Sequence, residues 1–371
     1  MAKRARSSRA PPTKNCRDHC GAQLNQRRIF YLNRLAHPVF AEIMRGRSDV
    51  SLTGLVNESP ESEAGPVLAG AHAYQIPSVR DELAAQFHAR AALLARAPDL
   101  LVVSTSGAGY DTVDVDDCTR AGVLAVNQSG GNARSVAEHA LGMLLCLNKM
   151  IIQADRRMRR EPGIRRLDYM NAEAYGKTVG IIGIGNVGTR FAELCGGVLG
   201  MKVLACDPYL SAQEIAARGA EKAGLDDVLR RSDFVSVSCP LNAETRGMIG
   251  AKQYAMMQRH AYFITTARGG IHDEQALARA LREKRIAGAG LDVWDPEPPP
   301  PGHPLLAFDN VIASPHTAGT TREARERVGT MAAQQLLDVL EGRRPPRLLN
   351  PEAWPAFAER YERIFGVAPS A

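Results

Sequence analysis

Three polar residues stand just past the ends of short apolar runs in the second half of the chain. Arg268 follows Tyr262-Phe263-Ile264-Thr265, Glu297 follows Gly290-Leu291-Asp292-Val293-Trp294, and His316 follows Val311-Ile312-Ala313-Ser314. A cation, a carboxylate and an imidazole are what the oxidation of a hydroxyl beside a carboxylate requires. Arginine can pair with the substrate carboxylate through two parallel N–H donors. Histidine can take the hydroxyl proton, and an adjacent acid favours the imidazolium that results. Singly, each has an ordinary reading as a surface charge, a solvated acid or a structural histidine. Their succession after three strands of one sheet is what points to chemistry, because ligands of open α/β sheets bind beyond the carboxyl ends of the strands.

The stretch Lys177–Asp207 is the element that must position them. Thr178-Val179-Gly180-Ile181-Ile182 is short, apolar and β-branched, as a buried parallel strand should be. Gly183-Ile184-Gly185-Asn186-Val187-Gly188 follows, then Phe191, Leu194, Cys195, Val198 and Leu199 at the spacing of one helix face. A second apolar run ends in Asp207. In this arrangement Gly183 permits the tight turn, Gly185 admits a pyrophosphate to the backbone, and Gly188 lets helix and strand pack closely. Asp207 stands where a carboxylate accepts both ribose hydroxyls and repels a 2′-phosphate, and Pro208-Tyr209 supplies no arginine to offset it, so NAD is expected over NADP.

Around this unit, strands alternate with helices, which implies parallel sheets with right-handed crossovers. Strands are expected at 29–32, 51–56, 71–76, 100–103 and 123–126, then, beyond Asp207, at 234–237, 261–265, 288–291 and 311–313. Helices are expected at 37–45, 81–96, 113–121, 133–160, 273–284 and 321–341, and residues 58–65 read as a loop. A linker is expected near 127–132. Pro296-Glu297-Pro298-Pro299-Pro300-Pro301 reads as a stiff loop within the second sheet's domain.

At 371 residues the chain can hold two domains. No run of 18 apolar residues occurs, so neither a transmembrane helix nor a membrane partner is expected. The N-terminus lacks the apolar centre of a secretory signal. Seven cysteines without C-x-x-C spacing fit free thiols in a reducing compartment, here the cytoplasm. Cys16 and Cys20 flank His19, but no second ligand pair follows, and no metal is expected. The net charge of +6 comes from residues 1–28, which carry +7, so the remaining chain is close to neutral at −1. A basic, Pro/Ser-rich stretch over residues 1–27 is expected to be a disordered tail, and the neutral body gives no reason to expect a nucleic-acid partner.

From about Ile29 to Asn350 the sequence resembles the D-2-hydroxyacid dehydrogenases. The resemblance rests on Ser106-Gly107-Ala108-Gly109-Tyr110-Asp111, Ser135-Val136-Ala137-Glu138-His139, Gly183–Gly188, Cys239-Pro240-Leu241, Ala267-Arg268-Gly269, Leu291-Asp292-Val293 with Glu297-Pro298, and Pro315-His316. It implies two doubly wound α/β domains, with a Rossmann NAD-binding domain (127–318) inserted in a flavodoxin-like substrate domain. The latter would take residues 28–126 and a return helix within 319–350, leaving 351–371 as an extension. It implies Arg268, Glu297 and His316 as the catalytic trio. It places Asn186, Val187, Asp207, Cys239, Pro240, Thr266, Ala267, Asp292, His316 and Ala318 at NAD, and Tyr74, Ser106, Gly107 and Arg268 at the substrate. It also implies a homodimer through the 133–160 helix. Ser238 departs from the pattern, since many members have histidine there.

The implied activity is hydride transfer between NAD(H) and a small 2-hydroxy acid. Some relatives are phosphoglycerate dehydrogenases, whose two phosphate-binding arginines fall near Tyr74 and Thr105 in this chain. Neither position is cationic, so a non-phosphorylated substrate is expected, although a shifted loop would present Arg80. Other relatives are formate dehydrogenases, against which Glu297 argues, or NAD-sensing co-repressors, which are binding modules more than enzymes.

Overall fold

A computed structural model describes residues 26–370. The basic stretch and the Cys16–Cys20 pair therefore lie outside the described residues, except that the first strand already begins at Arg27. Five parallel strands form one sheet: β1 (Arg27–Leu32), β2 (Val50–Leu55), β3 (Ala73–Ile76), β4 (Val102–Thr105) and β5 (Leu124–Val126), in the order 2-1-3-4-5. Seven parallel strands form the other: β6 (Thr178–Ile182), β7 (Lys202–Cys206), β8 (Glu221–Lys222), β9 (Phe234–Val237), β10 (Tyr262–Thr265), β11 (Gly288–Leu291) and β12 (Val311–Ala313), in the order 12-11-10-9-6-7-8. The first order is flavodoxin-like, and the second is a Rossmann sheet with one added edge strand. In the second, the order reverses between β6 and β9, which opens a crevice beyond their carboxyl ends.

Each sheet is covered on both faces. Along β1, Ile29 enters the core formed with the helices Arg322–Leu340 and Trp354–Phe365, whereas Phe30 enters the opposite core. Successive strand residues point to opposite faces, so one strand feeds two cores. The C-terminal segment is part of this packing: Phe357 and Tyr361 are buried on the sheet, and Arg360 donates to the carbonyls of Pro98, Leu100 and Ala121.

Four local expectations are corrected. Residues 81–96 do not make one helix; they form two short 3-10 turns and the four-residue helix Ala91–Leu94. Their backbone is captured by tertiary partners instead. Ala89 pairs as an extended bridge with Val113, and the Phe87 carbonyl accepts the Tyr74 hydroxyl. Residues 61–70 are helical despite Gly65 and Pro66, because Ala64 and Leu68 are buried in the core over β1 and β3. The helix expected at 133–160 breaks at Met150, whose φ is +53°, into Ala133–Asn148 and Ile151–Arg160 bent by 59°. After Ala192 the coil widens to a π-helix over Glu193–Val198, which shifts the phase of the face so that Val198 points into solvent.

Candidate active site

The two sheets meet at a cleft of about 630 Å³ lined by loops from both. From the seven-stranded side come Gly185, Asn186, Val187, Cys239, Pro240, Thr266, Ala267, Arg268, Asp292, His316 and Ala318; from the other come Ser106, Gly107 and Tyr110.

The turn after β6 has the shape that a dinucleotide needs. Gly183 has φ +86°, and a Cβ there would lie 2.7–2.8 Å from Cys239 on the neighbouring strand's loop. A Cβ on Gly188 would lie 2.4 Å from the Gly183 carbonyl oxygen, whereas one on Gly185 would meet nothing within 4 Å. The backbone is thus closed toward the sheet and open toward the cleft, which fits a pyrophosphate. Asp207 accepts the backbone N–H of Ile184 and of Tyr209, which ties the end of β7 to the glycine turn. Arg218, from the end of the helix Ala212–Ala217, donates to the Ile184 carbonyl at 2.5 Å. This arginine beside the turn is not legible in the sequence, because it arrives on the next helix rather than after Asp207.

His316 sits in a sharp turn with φ +52°, a strained conformation for a residue with a side chain. Asp292 holds that turn. Its fully buried carboxylate accepts Ser314 Oγ–H at 2.6 Å and the N–H groups of Thr317 and Ala318 at 2.8 and 3.0 Å, while its carbonyl accepts the His316 N–H. Three hydrogen bonds satisfy the oxygens of this buried carboxylate and keep the ring aimed. His139 joins this network through Ser314 Oγ at 2.9 Å.

Glu297 meets the ring: Oε2 lies 2.8 Å from His316 Nδ1, and Oε1 accepts the Trp294 N–H at 2.9 Å. Burial pushes the Glu297 carboxyl up, but its contacts with His316, the Trp294 N–H and the charge of Arg268 together hold it below the ordinary value. A carboxylate beside Nδ1 fixes the proton on that nitrogen and leaves Nε2 as the working atom.

Arg268 reaches the cleft from the turn after β10. Its Nη1 donates to the Ala267 carbonyl at 2.6 Å, and its Nε donates to Asp111 Oδ2 at 2.9 Å, across from the other sheet. The approach is close, since a Cβ on Gly109 would lie 1.8 Å from Arg268 Nη2. Gly269 has a matching role: a Cβ there would lie 1.8 Å from the Trp294 carbonyl oxygen, so only glycine lets the Glu297 loop rest on the Arg268 turn.

Tyr74 is corrected: it does not reach the cleft. It lies inside β3, fully buried, stacked on Phe30 at 4.1 Å, with its hydroxyl on the Phe87 carbonyl. The strand runs on to Ile76, so the residues that emerge at its carboxyl end are Ser78, Val79 and Arg80, and all three line the cleft. Arg80 Nε donates to the Asp111 carbonyl, beside the Arg268 pair. Tyr74→Phe should therefore lower stability by about 1 kcal/mol, the net worth of one hydrogen bond, and leave substrate kinetics unchanged. Thermal unfolding and steady-state rates on the same sample check this; a raised KM would return Tyr74 to the site.

Residues 141–318 match the family of the D-isomer specific 2-hydroxyacid dehydrogenase, NAD binding domain. A glyoxylate reductase of Aeropyrum pernix is 38% identical over 266 residues, which cover 70% of this chain and 79% of the relative. A D-3-phosphoglycerate dehydrogenase of Archaeoglobus fulgidus is 39% identical over 252 residues, 68% of this chain and 47% of the relative, so the chain spans about half the length of that protein. A D-lactate dehydrogenase of Aquifex aeolicus, solved with NAD and lactic acid, is 26% identical and superposes with a TM-score of 0.73 over 86% of this chain and 98% of its own. Among the described residues, therefore, glycine turn, cleft and relatives agree: this chain belongs to the D-isomer-specific 2-hydroxyacid dehydrogenases, a family of NAD-dependent oxidoreductases.

Proposed function

We propose that this chain interconverts a small, non-phosphorylated D-2-hydroxy acid and its 2-oxo acid, with Arg268, Glu297 and His316 as its catalytic residues. The observation that carries the reading is the 2.8 Å contact of Glu297 with His316 in a cleft that also receives Arg268. NAD, when bound, supplies the hydride acceptor. Arg268 binds the substrate carboxylate with the edge of its guanidinium that Asp111 leaves open. His316 Nε2 takes the hydroxyl proton during oxidation and returns it during reduction, while Glu297 stabilises the charged ring. Thr266, Cys239 and the glycine turn hold the cofactor, and Gly107 offers its backbone N–H to the substrate, beside Ser106, whose own N–H is donated to the Ile76 carbonyl.

Arg80 gives a second reading, in which it meets a phosphate and the substrate is 3-phosphohydroxypyruvate. Its surroundings favour the first. Glu82 also lines the cleft, Asp111 accepts Arg80, and the carboxyl of Asp81 is raised by burial and by the charge of Glu297, with its own backbone N–H and His316 acting against the rise. A dianion beside Arg80 would also meet Glu82 and Asp111, while the neighbouring Arg268 is already engaged by Asp111 and the Ala267 carbonyl. Steady-state kcat/KM with glyoxylate, hydroxypyruvate, a branched 2-oxo acid and 3-phosphohydroxypyruvate decides: the phosphorylated compound should be poorest, and its being best would reverse the choice.

For the cofactor, Asp207 should make NADH better than NADPH by about tenfold or more in kcat/KM, or about 1.4 kcal/mol. Asp207→Ser should narrow the ratio, because Arg218 remains beside the turn. Equal use of both cofactors by the unaltered protein would refute the role of Asp207.

The domain division fits the same reading. Residues 127–318 would move as one body against 28–126 with 319–350, hinged where Gln335 donates to the Asn127 carbonyl and to Gln128 Oε1. A homodimer would cover Met158, Leu167, Met170 and Tyr175, all largely exposed just beyond the Ala133–Asn148 helix. A monomer by light scattering at micromolar concentration would refute that assembly. A cytoplasmic location accords with the five free cysteines of the described residues. The basic tail should be dispensable, so a protein beginning at Arg27 that folds but has no turnover would overturn this.

A further inference from the structure

Glu297 is carried on an irregular loop with four prolines in succession, yet it meets His316 at 2.8 Å. Proline supplies no N–H, so this loop has few backbone donors with which to fix itself. What fixes it lies outside it. Glu274 is the first residue of the helix Glu274–Arg282, which directly follows the Arg268 turn and is anchored by Asp273 as its N-cap and by buried Leu277 and Leu281. The two oxygens of the Glu274 carboxylate go to the two ends of the loop. Oε1 accepts the Asp295 N–H at 3.0 Å, and Oε2 lies 3.0 Å from His303 Nε2. His303 Nδ1 accepts the Leu305 N–H, so Nε2 is the nitrogen that carries the proton toward Glu274. The His303 ring also stands edge-on to Trp294 at 5.4 Å, and Trp294 donates its backbone N–H to Glu297 and its indole N–H to the Ser314 carbonyl. Both side chains of the Glu274–His303 pair are nearly buried, at 12% and 13% exposed, so solvent screens the contact little.

We propose that Glu274 and His303 form a clamp across the mouth of the Glu297 loop and are positioning residues for the reaction. The clamp fixes the distance between Asp295 and His303, and thereby the place at which Glu297 meets His316. The clamp takes its footing beside the Arg268 turn, since Glu274 follows that turn in the chain and Gly269 lies under Trp294. The inference rests on the proposed roles of Glu297 and His316. It differs from a general contribution to stability in one respect: the clamp acts only through Glu297.

A double-mutant cycle tests that difference. Glu274→Ala should lower kcat by about 10- to 100-fold, the scale on which misplacing a catalytic group by an ångström acts, while the Kd for NADH stays within about twofold. Hydrogen exchange of the peptide spanning residues 293–305 should become faster in the same variant. In a Glu297→Gln background, Glu274→Ala should cost less than about twofold more, because the group it positions is already disabled. His303→Phe keeps the ring against Trp294 and removes the hydrogen bond, so it should reproduce the loss, and it serves if Glu274→Ala does not fold. Equal losses in the parent and in the Glu297→Gln background, or no loss with either clamp variant, would overturn the clamp. Undiminished turnover in Glu297→Gln alone would instead overturn the catalytic reading on which it rests.

Discussion

His316→Ala should lower kcat by about 10²–10⁴-fold, the usual contribution of a general acid–base. Among the described residues that line the cleft, His316 is the one imidazole. His139, in the same network, is directed at Ser314 and thereby at the back of Asp292. The alanine is tolerated by the fold at a cost, since φ +52° strains any residue with a Cβ, and the original histidine already bears that strain. Binding of NADH, followed by fluorescence, should persist, because Asp292 still holds the Thr317 and Ala318 N–H groups in place. A kcat within threefold of the parent would remove His316 from the mechanism.

Arg268→Ala should reduce kcat/KM for any 2-oxo acid by about two to four powers of ten. Two charge-assisted hydrogen bonds to the substrate carboxylate are worth roughly 1.5–3 kcal/mol each, and about 1.4 kcal/mol is a factor of ten. A second effect acts in the same direction. Without the guanidinium, Asp111 is left as a bare negative charge at the place where the substrate carboxylate must lie. Arg268→Lys should recover little, since a point charge cannot serve Asp111 and a carboxylate from two edges of one plane. The additional substitution Asp111→Asn in the alanine variant should restore part of the loss by lifting the repulsion. No recovery would mean that Asp111 does not face the substrate.

The parts of the site that were legible in the sequence are those whose geometry is local. Gly183, Gly185 and Gly188 occur within six residues, and their purposes follow from backbone constraints that act over one turn. The strand ends carrying Arg268, Glu297 and His316 were legible for a similar reason, because a buried parallel strand reads as a short apolar run and the residue after it emerges at a known edge. Tyr74 is placed at the substrate by the resemblance alone, although it falls inside the strand expected at 71–76; within β3, which ends at Ile76, its ring packs on Phe30 in the core. The helix expected over 81–96 failed on composition: alanine and leucine favour helix weakly, and the contacts of Phe87 and Ala89 outweigh that preference.

The class of fold, the dinucleotide turn with its acid at Asp207, and the three polar strand ends all follow from the chain read alone, since each depends on covalent neighbours and the periodicity of strand and helix. Which side chains meet was settled by packing. It brought Asp111 and Arg80 from one sheet to Arg268 on the other, Arg218 to the glycine turn, and Glu274 to both ends of the Glu297 loop. These side chains are distant in the chain and owe their contact to the stacking of whole layers, whose relative placement is fixed by the summed burial of many residues and by no short pattern among them.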